Sequence, residues 1–238
     1  RPRKIIIEKI ITDNDMKNLK GEWIDESYIK QPIINENTDV YYKDEKGCLK
    51  ILLKFRKNCI KNSLIKLGWD SYKDLAKASR GRGASAGPID PNSTYWKKRN
   101  LSNTNKWSTG YLKADGDVSK MKVNNQVASN PIGYWSAQKN YCELPCRLTH
   151  FTRTNYEKYN QGLPFIQKID QMFKNLIPDA HEKQLERADY KPHLKIPETS
   201  FSTITINRNF RTALHQDAGD FKEGFGNLTV IERGKYHG

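Results

Sequence analysis

His215 and Asp217 are the residues of this chain whose types and spacing could do chemistry. They stand two apart at the end of an apolar-alternating run, Ile204-Thr205-Ile206-Asn207-Arg208-Asn209-Phe210-Arg211-Thr212-Ala213-Leu214-His215-Gln216-Asp217. On a strand, residues two apart project to the same side because side chains alternate with period 2. One backbone segment would then offer an imidazole nitrogen and a carboxylate to a single metal ion. Such a pair, completed by a second His, leaves coordination positions open for substrate, the facial arrangement suited to non-haem Fe(II). His-x-Asp alone is a common surface pair, so its surroundings carry the argument. Counting back from His215, the same side of an unbroken strand holds Ala213, Arg211, Asn209 and Asn207. A polar wall beside a metal is costly unless it binds something. Arg211, Asn209 and Asn207 are therefore candidates to hold a carboxylate-bearing cosubstrate, Arg for its bidentate geometry. The plain alternative is an edge strand with these side chains in water.

The elements that must position this pair are read from periodicity. Strands are expected at Ile5-Ile6-Ile7, at Ile51 to Phe55 as a buried strand, at Arg147 to Thr152, at Phe201 to Phe210 and at Leu228 to Glu232. Between Pro164 and Pro178, apolar residues at 165, 166, 169, 172, 173, 176 and 177 follow a 3.6-residue period and predict a helix. Its Met and Phe stripe reads as core packing. A second short helix is expected from His181 to Ala188, and helix interrupted around Gly68 within Ser63 to Ala78. His181 and His193 sit in polar surroundings that suggest no role. Strands and helices together give an α+β chain.

A length of 238 residues suits one domain with a full core. The formal charge of +14, from 41 Lys and Arg against 27 Asp and Glu, favours a polyanionic partner such as nucleic acid. A Lys- and Asn-rich composition is the bland alternative. No apolar run approaches the roughly 20 residues of a membrane span, and no secretory segment opens the chain. Cys48, Cys59, Cys142 and Cys146 are too few for a disulfide framework, and a reducing, intracellular setting is expected. Cys142, Cys146 and His150 fall short of the four ligands of a closed zinc site, and Pro145 breaks any helix that would align them. The segment from Ser79 to Pro88 is rich in Gly and small residues that forbid a regular element. Its Arg80 and Arg82, with Lys97, Lys98 and Arg99 beyond, are candidates to pair phosphates. From Trp96 past Trp107 to Lys122 the chain is basic with interleaved aromatics, a composition suited to stacking bases. The expected division is an extension at 1–78, a basic insert at 79–125 and a core at 126–238, forming one domain overall.

Residues Phe201 to Glu232, from Phe-Ser-Thr-Ile-Thr-Ile-Asn through His-Gln-Asp-Ala-Gly-Asp to Leu-Thr-Val-Ile-Glu, resemble the catalytic core motif of the TET and base-J-binding-protein branch of 2-oxoglutarate/Fe(II) dioxygenases. Pro131-Ile132-Gly133-Tyr134-Trp135, Arg147-Leu148-Thr149 and the Leu163 to Pro178 segment are also similar to viral and phage members of that branch. The resemblance implies a double-stranded β-helix, a jelly roll with helices packed on one sheet. It implies His215 and Asp217 as iron ligands, 2-oxoglutarate as cosubstrate, and hydroxylation of the methyl group of thymine or 5-methylcytosine in DNA. Asp220 falls where the TET pattern has a polar residue that contacts the base. A base within a duplex would have to be flipped out.

In the family, a second His and a 2-oxoglutarate-binding Arg come from later strands. After Asp217 the remainder holds His237 as its one histidine and is long enough for about two strands and a turn. The expectation is that the distal ligands lie beyond Gly238, that the barrel in this chain is incomplete, and that the chain is a piece of a longer protein. Two rival readings differ in class: a basic nucleic-acid-binding or virion-associated protein that keeps the barrel without turnover, and an oxygenase acting on a protein side chain. The oligomeric state is not legible.

Overall fold

A computed structural model of the chain describes residues 1–8, 13–28, 33–75, 77–79, 82–87, 127–136, 146–217 and 220–232. The chain divides into two compact units, one comprising Arg1–Cys59, Ala78–Val127 and Phe210–Gln216, the other Ile60–Lys77, Ala128–Asn209 and Asp217–Gly238. Strands and helices mix in an α+β arrangement of small sheets. Among the described residues, no helix is long and apolar enough to cross a membrane.

In the first unit, β1 (Arg3–Ile7) runs parallel to β2 (Thr38–Lys43), and β2 runs antiparallel to β3 (Leu49–Phe55). The β2–β3 hairpin closes where the Asp44 carboxylate accepts the backbone N–H groups of Lys46 and Cys48, and Gly47 takes a φ of 77°. Asp39 on β2 meets Lys54 at 2.9 Å and Arg56 at 2.8 Å, and Lys54 also reaches the Tyr41 hydroxyl. The Ile51 to Phe55 strand forms as expected but is not buried: Leu52 and Leu53 are 49% and 41% exposed. Helix α1 spans Asp13–Leu19. The Gly-rich segment does contain regular structure, since Gly83–Ala86 form a 3-10 turn with Ala84 and Ala86 buried. Small side chains let that turn sit inside the unit rather than loop away from it. It follows β4, the two-residue strand Ala78–Ser79.

The second unit is built on helices. Helix α2 (Asn62–Tyr72) runs through Gly68 without the expected interruption. A Cβ on Gly68 would stand 2.6 Å from the Phe165 ring, so this glycine serves close helix packing rather than a break. The helix expected from Pro164 begins earlier: α3 (His150–Thr154) is followed directly by α4 (Tyr156–Leu176), with Pro164 inside it. The buried face of α4 comprises Tyr159, Gly162, Phe165, Ile166, Asp170 and Phe173 and packs on α2. Tyr72 lies over Gly162 and donates its hydroxyl to the Tyr159 carbonyl at 3.1 Å. Helix α5 (Pro178–Asp189) follows with proline at its first turn, where no amide is needed.

Beside these helices, β5 (Val127–Ser136) pairs antiparallel with β6 (Cys146–Leu148) and with β7 (Thr203–Asn207). The expected strand at Arg147 to Thr152 stops at Leu148, because the Thr149 side chain accepts the Thr152 amide and caps α3. Gly133 on β5 has a φ of 90°, and a Cβ there would stand 2.5 Å from the Ser202 carbonyl oxygen. The strand expected at Phe201 to Phe210 is shorter at both ends, and Leu228 to Glu232 is irregular rather than extended in a sheet.

Candidate metal centre

The His-x-Asp segment is delivered by β7 but does not belong to it. Arg208 donates its backbone N–H to the Ala128 carbonyl at 3.0 Å, and Asn209 then takes a φ of 45°. That left-handed residue ends the alternation on which Asn207, Asn209, Arg211 and His215 were to share one wall. Asn207 remains in the ladder opposite Ser129, while Asn209 lies on the turn. Both are exposed.

In the first unit the chain is gripped instead by its backbone. Ala213 donates to the Ser85 carbonyl at 2.9 Å, Leu214 donates to Glu22 at 3.0 Å, and Gly21 donates to Leu214 at 2.8 Å. Phe210 packs on Ala86 and Val127, and Ala213 is buried. Arg211 turns to the unit's own aromatic residue, with its guanidinium 5.0 Å from the Trp23 ring and donating to the Ile24 carbonyl at 3.1 Å. Nearby, the Asp25 carboxyl is held below its usual range by the Ser27 hydroxyl and amide, with Arg211 adding to the effect.

His215 follows this grip and is half-buried. Its Nδ1 lies 2.8 Å from the Ala213 carbonyl oxygen. A carbonyl only accepts, so Nδ1 bears a proton in this contact, and in the neutral ring Nε2 is the nitrogen that could bind a metal. An orienting bond of this kind is what a metal-ligating imidazole uses to fix its tautomer. Asp217, exposed and two residues on, supplies a carboxylate, and its carbonyl accepts from the Asp220 amide at 3.5 Å. This donor set, one imidazole of defined tautomer and one carboxylate, fits a non-haem iron better than a thiolate-preferring metal. Among the described residues no group of three or more His, Cys, Asp or Glu side chains converges on one point. As donor types, His215 and Asp217 would make two of the three ligands of such a centre.

Of the candidate phosphate-pairing residues, Arg82 is half-buried, while Arg80, Lys97, Lys98 and Arg99 lie outside the described residues. Sequence reading passed over a second polar cluster. Asp170, on the buried face of α4, accepts His181 Nε2–H at 2.9 Å, the Ser200 amide at 2.8 Å and the Ser200 hydroxyl at 2.7 Å. Phe173 meets the His181 ring edge-on at 5.2 Å. An Asp in phase with an apolar stripe, as Asp170 is with Ile166 and Phe173, was the available signal.

Residues 132–238 match the Tet_JBP family, described as the oxygenase domain of the 2OGFeDO superfamily. That stretch contains His215, Asp217 and Asp220, and this part of the chain is similar to a Tet_JBP oxygenase domain. Curated relatives include a bifunctional helicase and thymine dioxygenase JBP2 of Leishmania braziliensis, 38% identical over 107 residues, and its namesake in Trypanosoma brucei brucei, 37% identical over 122 residues. These alignments cover 45% and 49% of this chain, but 10% and 11% of the relatives. Thymine dioxygenase JBP1-B of Trypanosoma cruzi is 38% identical over 110 residues, covering 46% of this chain and 13% of its own length. The chain therefore spans about a tenth of the length of the curated relatives it matches. No solved structure matches it at a significant level.

Proposed function

We propose that this chain is part of an Fe(II)- and 2-oxoglutarate-dependent dioxygenase that hydroxylates the methyl group of a pyrimidine in DNA. The observation that carries this reading is the hydrogen bond between His215 Nδ1 and the Ala213 carbonyl, two residues before it, with Asp217 two residues on, within the matched oxygenase stretch. His215 Nε2 and the Asp217 carboxylate would hold the iron, with the Ala213 carbonyl retaining the proton on Nδ1. Fe(II), when bound with 2-oxoglutarate and dioxygen, supplies the oxidant for an otherwise inert C–H bond. Asp220, three residues beyond Asp217 and exposed, is the proposed contact to the base. Thymine is the favoured base, because the relatives from Leishmania and Trypanosoma are named thymine dioxygenases. The net charge of +14 supports DNA as the partner.

The finer architecture belongs to the same proposal: β5, β6 and β7 form part of a double-stranded β-helix, with α4 and α5 as its packed helices. Within it, 126–238 is the core, 1–78 an extension and 79–125 a basic insert. The test is an anaerobic titration of the protein with Fe(II) and 2-oxoglutarate, read by the visible metal-to-ligand charge-transfer band. Mass spectrometry of thymine- and 5-methylcytosine-containing DNA after turnover then identifies the base. A band that is lost in His215→Ala, with a hydroxymethylated base as product, is the expected result. Absence of the band in the natural full-length protein overturns the reading.

A further inference from the structure

The second unit carries a groove of about 520 Å³ whose lining residues the proposed chemistry does not use. Its floor is apolar: Tyr134 on β5 and Leu148 on β6 are directly paired across the ladder, and Leu194 adds to them from the 3-10 turn Pro192–Leu194. Its rim is basic. Arg147 stands on β6, and His150 and Arg153 follow on α3, three residues apart and so on one helix face. The spacing of 147, 150 and 153 is regular, and no carboxylate is among the lining residues.

An apolar floor under a cationic rim calls for a ligand with a flat, poorly hydrated body and an anionic edge. The volume falls in the range of about 300–1,000 Å³ typical of small-molecule and cofactor sites, which is ample for a base with its sugar. A small dicarboxylate would leave most of it empty. Aromatic rings that stack bases, combined with arginines that track the backbone, are the means by which single-stranded nucleic acid is held. We infer that this groove seats one nucleotide of a single-stranded or locally unpaired DNA segment, its base on Tyr134 and Leu148 and its flanking phosphates on Arg147 and Arg153. The inference rests on the reading that the chain acts on DNA, and it adds a place where an unpaired nucleotide is held.

The test is fluorescence anisotropy of a labelled oligothymidylate against the protein across a salt series, with neither metal nor 2-oxoglutarate present. The double variant Arg147→Ala/Arg153→Ala should bind about tenfold more weakly, and the slope of log affinity against log salt should fall by roughly 1.4, from two lost phosphates at about 0.7 each. An abasic strand of equal length should bind wild type about fivefold more weakly than the thymidylate, the loss expected when one base no longer stacks. Unchanged affinity and slope in the double variant overturn the inference. So does equal binding of the abasic strand, a comparison made on unaltered protein and so independent of whether any variant folds. Displacement of the oligonucleotide by millimolar 2-oxoglutarate would also overturn it, by making the groove a carboxylate site. Because no iron is present, these outcomes are separate from the charge-transfer result: a missing band with the predicted salt slopes would remove the oxygenase reading and leave the groove standing.

Discussion

The two histidines His181 and His215 contrast a scaffold residue with a candidate ligand. His181 is buried on α5 and gives its Nε2–H to Asp170, a carboxylate that also takes two hydrogen bonds from Ser200. His215 is half-buried and is oriented through Nδ1 by a backbone carbonyl. The first ring is closed in by Phe173 and tied to a side chain, so its interaction stabilises the fold. The second is oriented through Nδ1, which in the neutral ring makes Nε2 the nitrogen a metal would take. A histidine held by backbone is thus the better ligand candidate, and one held by a buried carboxylate the better strut.

The largest effect should come from breaking the strut. Asp170→Ala leaves His181 and two Ser200 donors without their acceptor in a buried site, which should cost about 3 kcal/mol in urea unfolding. A loss under about 1 kcal/mol would show that the cluster is not structural and would erase the contrast. Next, Gly162→Ala forces a methyl group into the Tyr72 ring across the α2–α4 contact. Overpacking there should cost about 2 kcal/mol by the same measurement, while Fe(II) affinity is kept in whatever fraction remains folded.

A smaller effect concerns the other carboxylate that binds two partners. Burial works against the charge on Asp39, but hydrogen bonds from Arg56 and Lys54 outweigh it and hold its carboxyl below the usual range. A carboxyl lowered by folding stabilises above its unfolded pKa and loses that contribution as pH falls through the folded value. The stability gap between wild type and Asp39→Asn should therefore be about 1 kcal/mol at neutral pH and shrink below about pH 4. Urea midpoints measured from neutral pH downward would show this, and a constant gap would contradict it. Smallest of all is the stability effect of His215→Ala, expected at under about 0.5 kcal/mol, even though the variant should lose the charge-transfer band. Destabilisation equal to that of Asp170→Ala would place His215 among the struts.

The pair at 215 and 217 could be read as a candidate because residue type and spacing pick it out and the motif around it resembles a known core. The path to it was not. Alternation from Ile204 to His215 reads as one strand, but Asn209 takes a left-handed φ, and Ala213 and Leu214 pair with Ser85 and Glu22 rather than continuing the ladder. In the same way Gly162 hid the beginning of α4. Its apolar stripe continues upstream through Tyr159, but the position between is a glycine, chosen for the closeness of Tyr72. Pro164 then looked like a helix start although it lies inside one. Gly68, read as a break, and Gly162 are contact points between helices. Asp170 was hidden by its neighbours, since an apolar stripe draws the eye to its Phe and Met rather than to the acid within it.

Ala213 carries one further consequence. Its amide is tied to Ser85 and its carbonyl to His215, so the proton on the imidazole is placed by main-chain atoms at both ends. A side-chain orienter can be lost in a single codon change. This one cannot be deleted by substitution: any residue at 213 brings the same carbonyl, and only proline would remove the amide that anchors it. The orientation of this candidate ligand is therefore inherited with the path of the chain, and mutational drift in the surrounding side chains leaves it in place.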